Sequence, residues 1–123
     1  MRIHKSGEDY LEAILIIRNE KGNVRSLDVA EYLGVTKPSV SNAVKVLRNG
    51  GMIEMDETKR ITLTKSGEEI AQRMLERHML LTELFKAIGV SPETAEDDAC
   101  KIEHDLSAET FDRIKDFCLR QKN

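Results

Sequence analysis

Between Ser26 and Leu63 the hydrophobic period changes abruptly, and that change leaves few folds open to the chain. Leu27, Ala30 and Leu33 mark one side of a short helix that starts at Ser26 and stops at Gly34. Thr36 then offers a cap, Pro38 falls in the first turn, and Val40, Val44 and Leu47 recur at helical spacing until Asn49-Gly50-Gly51. Next the period drops to two. Met52-Ile53-Glu54-Met55 and Arg60-Ile61-Thr62-Leu63 predict short strands joined by the polar turn Asp56-Glu57-Thr58-Lys59. Two short helices followed by a hairpin predict a winged helix-turn-helix.

The flanks are helical. Ser6 is the expected cap of a first helix, with Glu8 and Asp9 in its first turn and Tyr10, Leu11, Ile14, Leu15, Ile16 and Ile17 on a broad apolar face ending at Lys21-Gly22-Asn23. A longer helix is expected from Lys65–Ser66 to Gly89, with Ser66 and Glu69 as a capping box. Ser91-Pro92-Glu93 opens another through about Asp105, and Ser107 caps a last one carrying Phe111, Ile114, Phe117 and Cys118 on one face. The fold class is therefore mainly α. We expect a winged helix-turn-helix over residues 1–64 and a helical domain over 65–123, with the first helix shared between them.

Composition narrows the function. Of 123 residues 40% are hydrophobic, 33% charged and only 4% aromatic, which argues against a large enzyme, a β-sandwich or a disordered tail. No apolar run reaches the roughly 20 residues of a membrane span, and Met1-Arg2-Ile3-His4-Lys5 does not read as a signal peptide. Cys100 and Cys118 are too few for a disulfide scaffold, so the cytoplasm is the expected compartment. The net charge of −3 divides unevenly: residues 1–65 are slightly basic and residues 66–123 carry the acidic excess.

The second helix of the motif is the one that enters a major groove. With Val40, Ala43, Val44 and Leu47 turned inward, its outer side is Lys37, Ser39, Ser41, Asn42, Lys45 and Arg48. Hydroxyls, an amide and cations suit base edges and phosphates: Asn42 for a base, Lys37, Lys45 and Arg48 for the backbone. Lys59 and Arg60 at the hairpin tip are candidates for a flanking contact. For any one of these residues a merely solvated face is the alternative; the assembled pattern favours double-stranded DNA. One such module reads few base pairs, so a homodimer on a palindromic site is expected.

The acidic half carries a second pattern. Cys100, Glu103 and His104 are spaced to share one helical face, and His78 lies mid-helix among apolar neighbours. Asp9 and Glu12 stand one turn apart on the first helix. A thiolate, imidazoles and carboxylates together suit a transition metal. Each has a plainer reading: a dipole acid, a solvated side chain, a satisfied core histidine, a small buried hydrophobe. Cys118 reads as core packing, and His4 has no clear partner.

Ser6-Gly7-Glu8-Asp9-Tyr10-Leu11-Glu12, the run Val29–Val35 with Pro38-Ser39-Val40-Ser41, Ile61-Thr62-Leu63-Thr64, Arg77-His78 and Cys100–Ser107 together resemble the diphtheria-toxin-repressor family over nearly the whole chain. The resemblance implies a homodimeric, metal-dependent transcriptional repressor of iron or manganese homeostasis, with Asp9, Glu12, His78, Cys100, Glu103 and His104 at the family's metal-ligating positions. It implies the compact type, without an SH3-like third domain. Asp9 and Glu12 match the manganese type, whereas Cys100 matches the iron type, which tends to have methionine in place of Asp9. Thr82 replaces an acid that the iron type uses one turn after His78. The expected cofactor is Fe²⁺ or Mn²⁺, with Zn²⁺ or Co²⁺ as further possibilities.

Two rival classes follow from the same residues. One is a small metalloenzyme with Glu12 or Glu103 as general base, although no nucleophile or phosphate loop accompanies them. The other is a metal-independent winged-helix regulator sensing a small ligand. Neither a membrane nor a small organic substrate is expected as a partner.

Overall fold

The computed structural model describes residues 3–122, and the side chains of residues 7–121. The elements run α1 (Ile3–Lys21), α2 (Ser26–Leu33), α3 (Lys37–Asn49), β1 (Ile53–Met55), β2 (Ile61–Leu63), α4 (Lys65–Ala87), α5 (Pro92–Ile102) and α6 (Ala108–Lys122). The chain divides into two compact units, Met1–Arg73 and Met74–Asn123, the division falling inside α4.

In the first unit α1 is the central element. Tyr10, Leu11, Ala13, Ile14, Leu15 and Ile17 are all buried, which is how a helix apolar on most sides must sit. It is already helical at Ile3, so Ser6 is not its cap and Glu8 and Asp9 lie beyond its first turn. The side chains of His4 and Ser6 fall outside the described residues. Val29 and Ala30 are the buried residues of α2, while Leu27 is 52% exposed. The expected stripe through Leu27 was thus displaced toward Val29. On α3, Thr36 accepts from the Ser39 amide at 3.2 Å, Pro38 lies in the first turn, and Val40, Val44 and Leu47 are buried. Ala43, expected inside, is half-buried.

The hairpin is antiparallel, with Ile53 opposite Leu63 and Met55 opposite Ile61. The Ile61 amide also donates to the Val24 carbonyl at 2.8 Å, which ties the wing to the end of α1. Thr64, rather than Ser66, caps α4: its hydroxyl accepts from the Gly67 amide at 3.2 Å and donates to the Gly51 carbonyl at 2.7 Å. Gly67 explains the choice. A Cβ there would stand 2.0 Å from the Met52 carbonyl oxygen, so only glycine lets α4 start against the wing. Arg18 forms a forked pair with Glu68 at 2.5 and 3.0 Å.

In the second unit Met74, Leu81, Ala95, Ala99 and Phe111 are buried, together with the charged residues Arg77 and Glu103. Helix α5 ends at Ile102, not near Asp105, and Glu103 is its C-cap with helical φ and ψ of −59° and −29°. Ser107 does cap α6, accepting from the Thr110 amide at 3.1 Å. Of the α6 face only Phe111 is buried. Phe117 is 54% exposed and Cys118 half-buried, so Cys118 is not core packing within one chain.

Gly67→Ala should destabilise the first unit by about 1–3 kcal/mol through overpacking, read as a lower urea midpoint. Hydrogen bonds from Arg18 first, then from Gln72, hold the Glu68 carboxyl below its ordinary value. Its contribution is complete above the unfolded carboxylate range and lost as pH falls through the lower folded value. Glu68→Gln should therefore cost about 1 kcal/mol or less at neutral pH, since the pair is partly exposed, and the gap from wild type should close in acid.

Candidate functional site

The second unit concentrates its ligating groups around Glu103. Its side chain is wholly buried, at 0% exposure. One carboxylate oxygen, Oε2, stands 3.1 Å from His78 Nδ1 on α4; the other, Oε1, stands 3.5 Å from His104 Nε2. Oε1 has no hydrogen-bond partner among the described residues. Cys100 Sγ and a Glu103 carboxylate oxygen lie within 4.8 Å of one another, and Cys100 is exposed rather than a buried hydrophobe. The backbone explains the grouping. Glu103 follows Cys100 by three residues on the last turn of α5, while the turn after the helix redirects His104, so the three need not share one helical face.

An isolated carboxylate loses several kcal/mol of solvation on burial unless charge or hydrogen bonds replace it. Nitrogen, oxygen and sulfur donors gathered on such a group are the chemistry of a divalent transition-metal site, and the residues present fit one. Thr82, one turn after His78, donates its hydroxyl to the His78 carbonyl at 2.7 Å. On α1 Glu12 is 8% exposed and Asp9 half-buried.

In the first unit Lys37, Ser39, Ser41, Asn42, Lys45 and Arg48 are all exposed on α3. The Ser39 hydroxyl is engaged with Thr36 Oγ1 at 2.9 Å. Ser39 and Asn42 border an open, largely apolar cleft of about 490 Å³ together with Tyr10, Leu33 and Val46. Lys59 and Arg60 are exposed at the hairpin tip. Asp56 builds that tip. Its Oδ1 accepts from the Thr58 amide at 2.8 Å, the Thr58 hydroxyl at 2.7 Å and the Arg60 amide at 2.9 Å. These bonds, that from Arg60 foremost, hold its carboxyl below the usual range, and Lys59 takes a left-handed φ of 65° in the turn they close.

Two residues here escaped the sequence reading. Asp56 was visible only as turn polarity, although an Asp two residues before Thr is the sequence form of a side-chain-closed turn. Arg77 was noticed only beside His78. Its place in the stripe Ile70, Met74, Arg77, Leu81 marks it as inward-facing, and it is 6% exposed.

Residues 3–61 match the family description "iron dependent repressor, N-terminal DNA binding domain", and residues 64–122 match "iron dependent repressor, metal binding and dimerisation domain". The chain is 40% identical over 110 residues to the transcriptional regulator MntR of Escherichia coli O157:H7, covering 89% of this chain and 71% of that one. Among solved structures it is similar to the manganese regulator SloR (TM-score 0.80, 26% identity, 91% of this chain and 53% of the other). It is also similar to a manganese-dependent transcriptional repressor in complex with manganese (TM-score 0.79, 29% identity, 88% of this chain and 50% of the other). The chain thus spans about half the length of these solved chains.

Asp56→Ala should loosen the hairpin tip, giving faster amide exchange at Thr58 and Arg60 without lowering the global unfolding midpoint. Wild type should lose the same protection as pH falls through the depressed Asp56 value.

Proposed function

Because the chain belongs to the iron-dependent repressor family, we propose that it is a metal-responsive transcriptional repressor of metal-ion homeostasis. It binds a palindromic operator as a homodimer, in the cytoplasm, and is not an enzyme. The observation that carries this reading is the buried Glu103 carboxylate beside the His78 and His104 rings. The domain assignment is residues 1–64 for DNA and 65–123 for dimerisation and sensing.

His78, Cys100, Glu103 and His104 are the proposed ligands from α4 and the end of α5, and Asp9 and Glu12 those from α1. When bound, a divalent cation supplies the positive charge that a buried carboxylate and a thiolate need. Carboxylates suit Mn²⁺ and the thiolate softer ions, which makes Fe²⁺ or Mn²⁺ the first choice, with Zn²⁺ and Co²⁺ able to occupy the same donors. Drawing ligands from α1 as well as from the sensing helices restricts the separations that the two recognition helices of a dimer sample. The operator requires one turn of DNA, roughly 34 Å.

Within the readout, Asn42 is proposed for a base edge, with Ser39 and Ser41 beside it; Lys37, Lys45, Arg48, Lys59 and Arg60 serve the phosphates. Dimerisation is proposed through the second unit, which exposes the large apolar side chains Met79, Ile88, Ile102, Phe117 and Leu119.

Stripping metal with a chelator should weaken binding to the chain's own upstream DNA by about 5- to 150-fold, and anaerobic Fe²⁺ or Mn²⁺ should restore it. His78→Ala should bind DNA at the stripped level with or without metal while unfolding near the wild-type midpoint. Equal affinity in chelator and in metal would contradict the proposal. Lys45→Ala should weaken all sequences alike and lower the salt slope by about one.

A further inference from the structure

The second unit buries a cation that metal binding does not itself require. Arg77 is 6% exposed, yet its guanidinium NH1 donates to two main-chain carbonyls, Glu103 at 2.9 Å and Leu106 at 2.8 Å. The same guanidinium lies over the Phe111 ring, 5.3 Å from its centroid. One side chain from α4 therefore grips both ends of the turn between α5 and α6 and the first turns of α6. The turn it spans carries Glu103 and His104. The carbonyls it satisfies include that of the α5 C-cap, where the last carbonyls of a helix lack partners and the dipole favours a cation.

We infer that Arg77 is a positioning residue for the metal centre: it locks the Glu103–Leu106 turn so that the Glu103 carboxylate and the His104 ring are held beside His78 before metal arrives. The inference rests on the metal-sensing reading above. A free turn after α5 would let the buried carboxylate swing toward solvent, which would remove its burial cost and scatter the donors. Arg77 opposes that from the main-chain side, without touching the donor atoms. A lysine reproduces it only in part: its ammonium has donors enough for the two carbonyls but no planar guanidinium to lie over the Phe111 ring.

Arg77→Met keeps the apolar stem and removes the donors; Arg77→Lys keeps the charge. The test is Mn²⁺ affinity of the full chain by chelator competition, paired with amide exchange of residues 103–106 in the metal-free protein. Expected are a roughly 10- to 100-fold weaker Mn²⁺ affinity for Arg77→Met, faster exchange across 103–106, and partial recovery of both in Arg77→Lys. Gly67→Ala, which lowers stability from the other unit, should keep wild-type Mn²⁺ affinity and serves as the control for a merely structural effect. If Arg77→Met does not fold, Arg77→Lys against wild type carries the same comparison. Unchanged affinity and exchange in the folded Arg77 variant, or an equal loss in Gly67→Ala, overturns the inference while leaving the sensing reading intact. A wild-type chain that takes up no Mn²⁺, Fe²⁺ or Co²⁺ overturns both.

Discussion

A carboxylate with no access to water, Glu103, sits in the core of the second unit, and the rest of that unit is arranged around it. Burying an unpaired charge is among the most costly things a small domain can do. The apolar core available to offset it is modest: Met74, Leu81, Ala95, Ala99 and Phe111. Ala95 and Ala99 of α5 are both fully buried, and the end of that helix sets the Glu103 carboxylate beside His78 on α4. The structure keeps the acid in place with an imidazole on one oxygen, a second imidazole near the other, and a cation clamped on the main chain behind it. Such an arrangement trades stability for a preformed set of donors.

The first unit obeys the opposite economy. Most of its charges stay at the surface, Glu8 and Glu12 on α1 being buried exceptions, its core is largely aliphatic, and its special positions are local: a threonine cap on α3, an aspartate-closed wing tip, a glycine where α4 meets the Met52 carbonyl. The membership of the chain in the iron-dependent repressor family gives both halves a common purpose, with α3 proposed to read DNA and Glu103 proposed to report metal.

Features with a local cause were legible from the residues. Thr36, Pro38 and the alternation of Ile53–Met55 and Ile61–Leu63 act within a few positions of themselves, and the structure has those elements to within a residue. Features decided at a distance were not. Thr64 displaces Ser66 as cap because Gly67 must face a carbonyl fifteen residues earlier in the chain. Helix α5 stops at Ile102, and Arg77, from another helix, takes up the Glu103 and Leu106 carbonyls after it. The donor residues themselves were readable from type and spacing. That Glu103 is their centre, and fully buried, depended on packing that no spacing encodes.

Histidine ring nitrogens report metal at the buried Glu103 carboxylate most directly. In ¹⁵N NMR spectra of the full chain, stripped of metal and then given one equivalent of diamagnetic Zn²⁺, the His78 and His104 rings should move together to metal-bound shifts. Neither ring should move in Glu103→Gln. Zinc bound at full occupancy with both rings unmoved in the wild-type chain would contradict a metal centre built on Glu103.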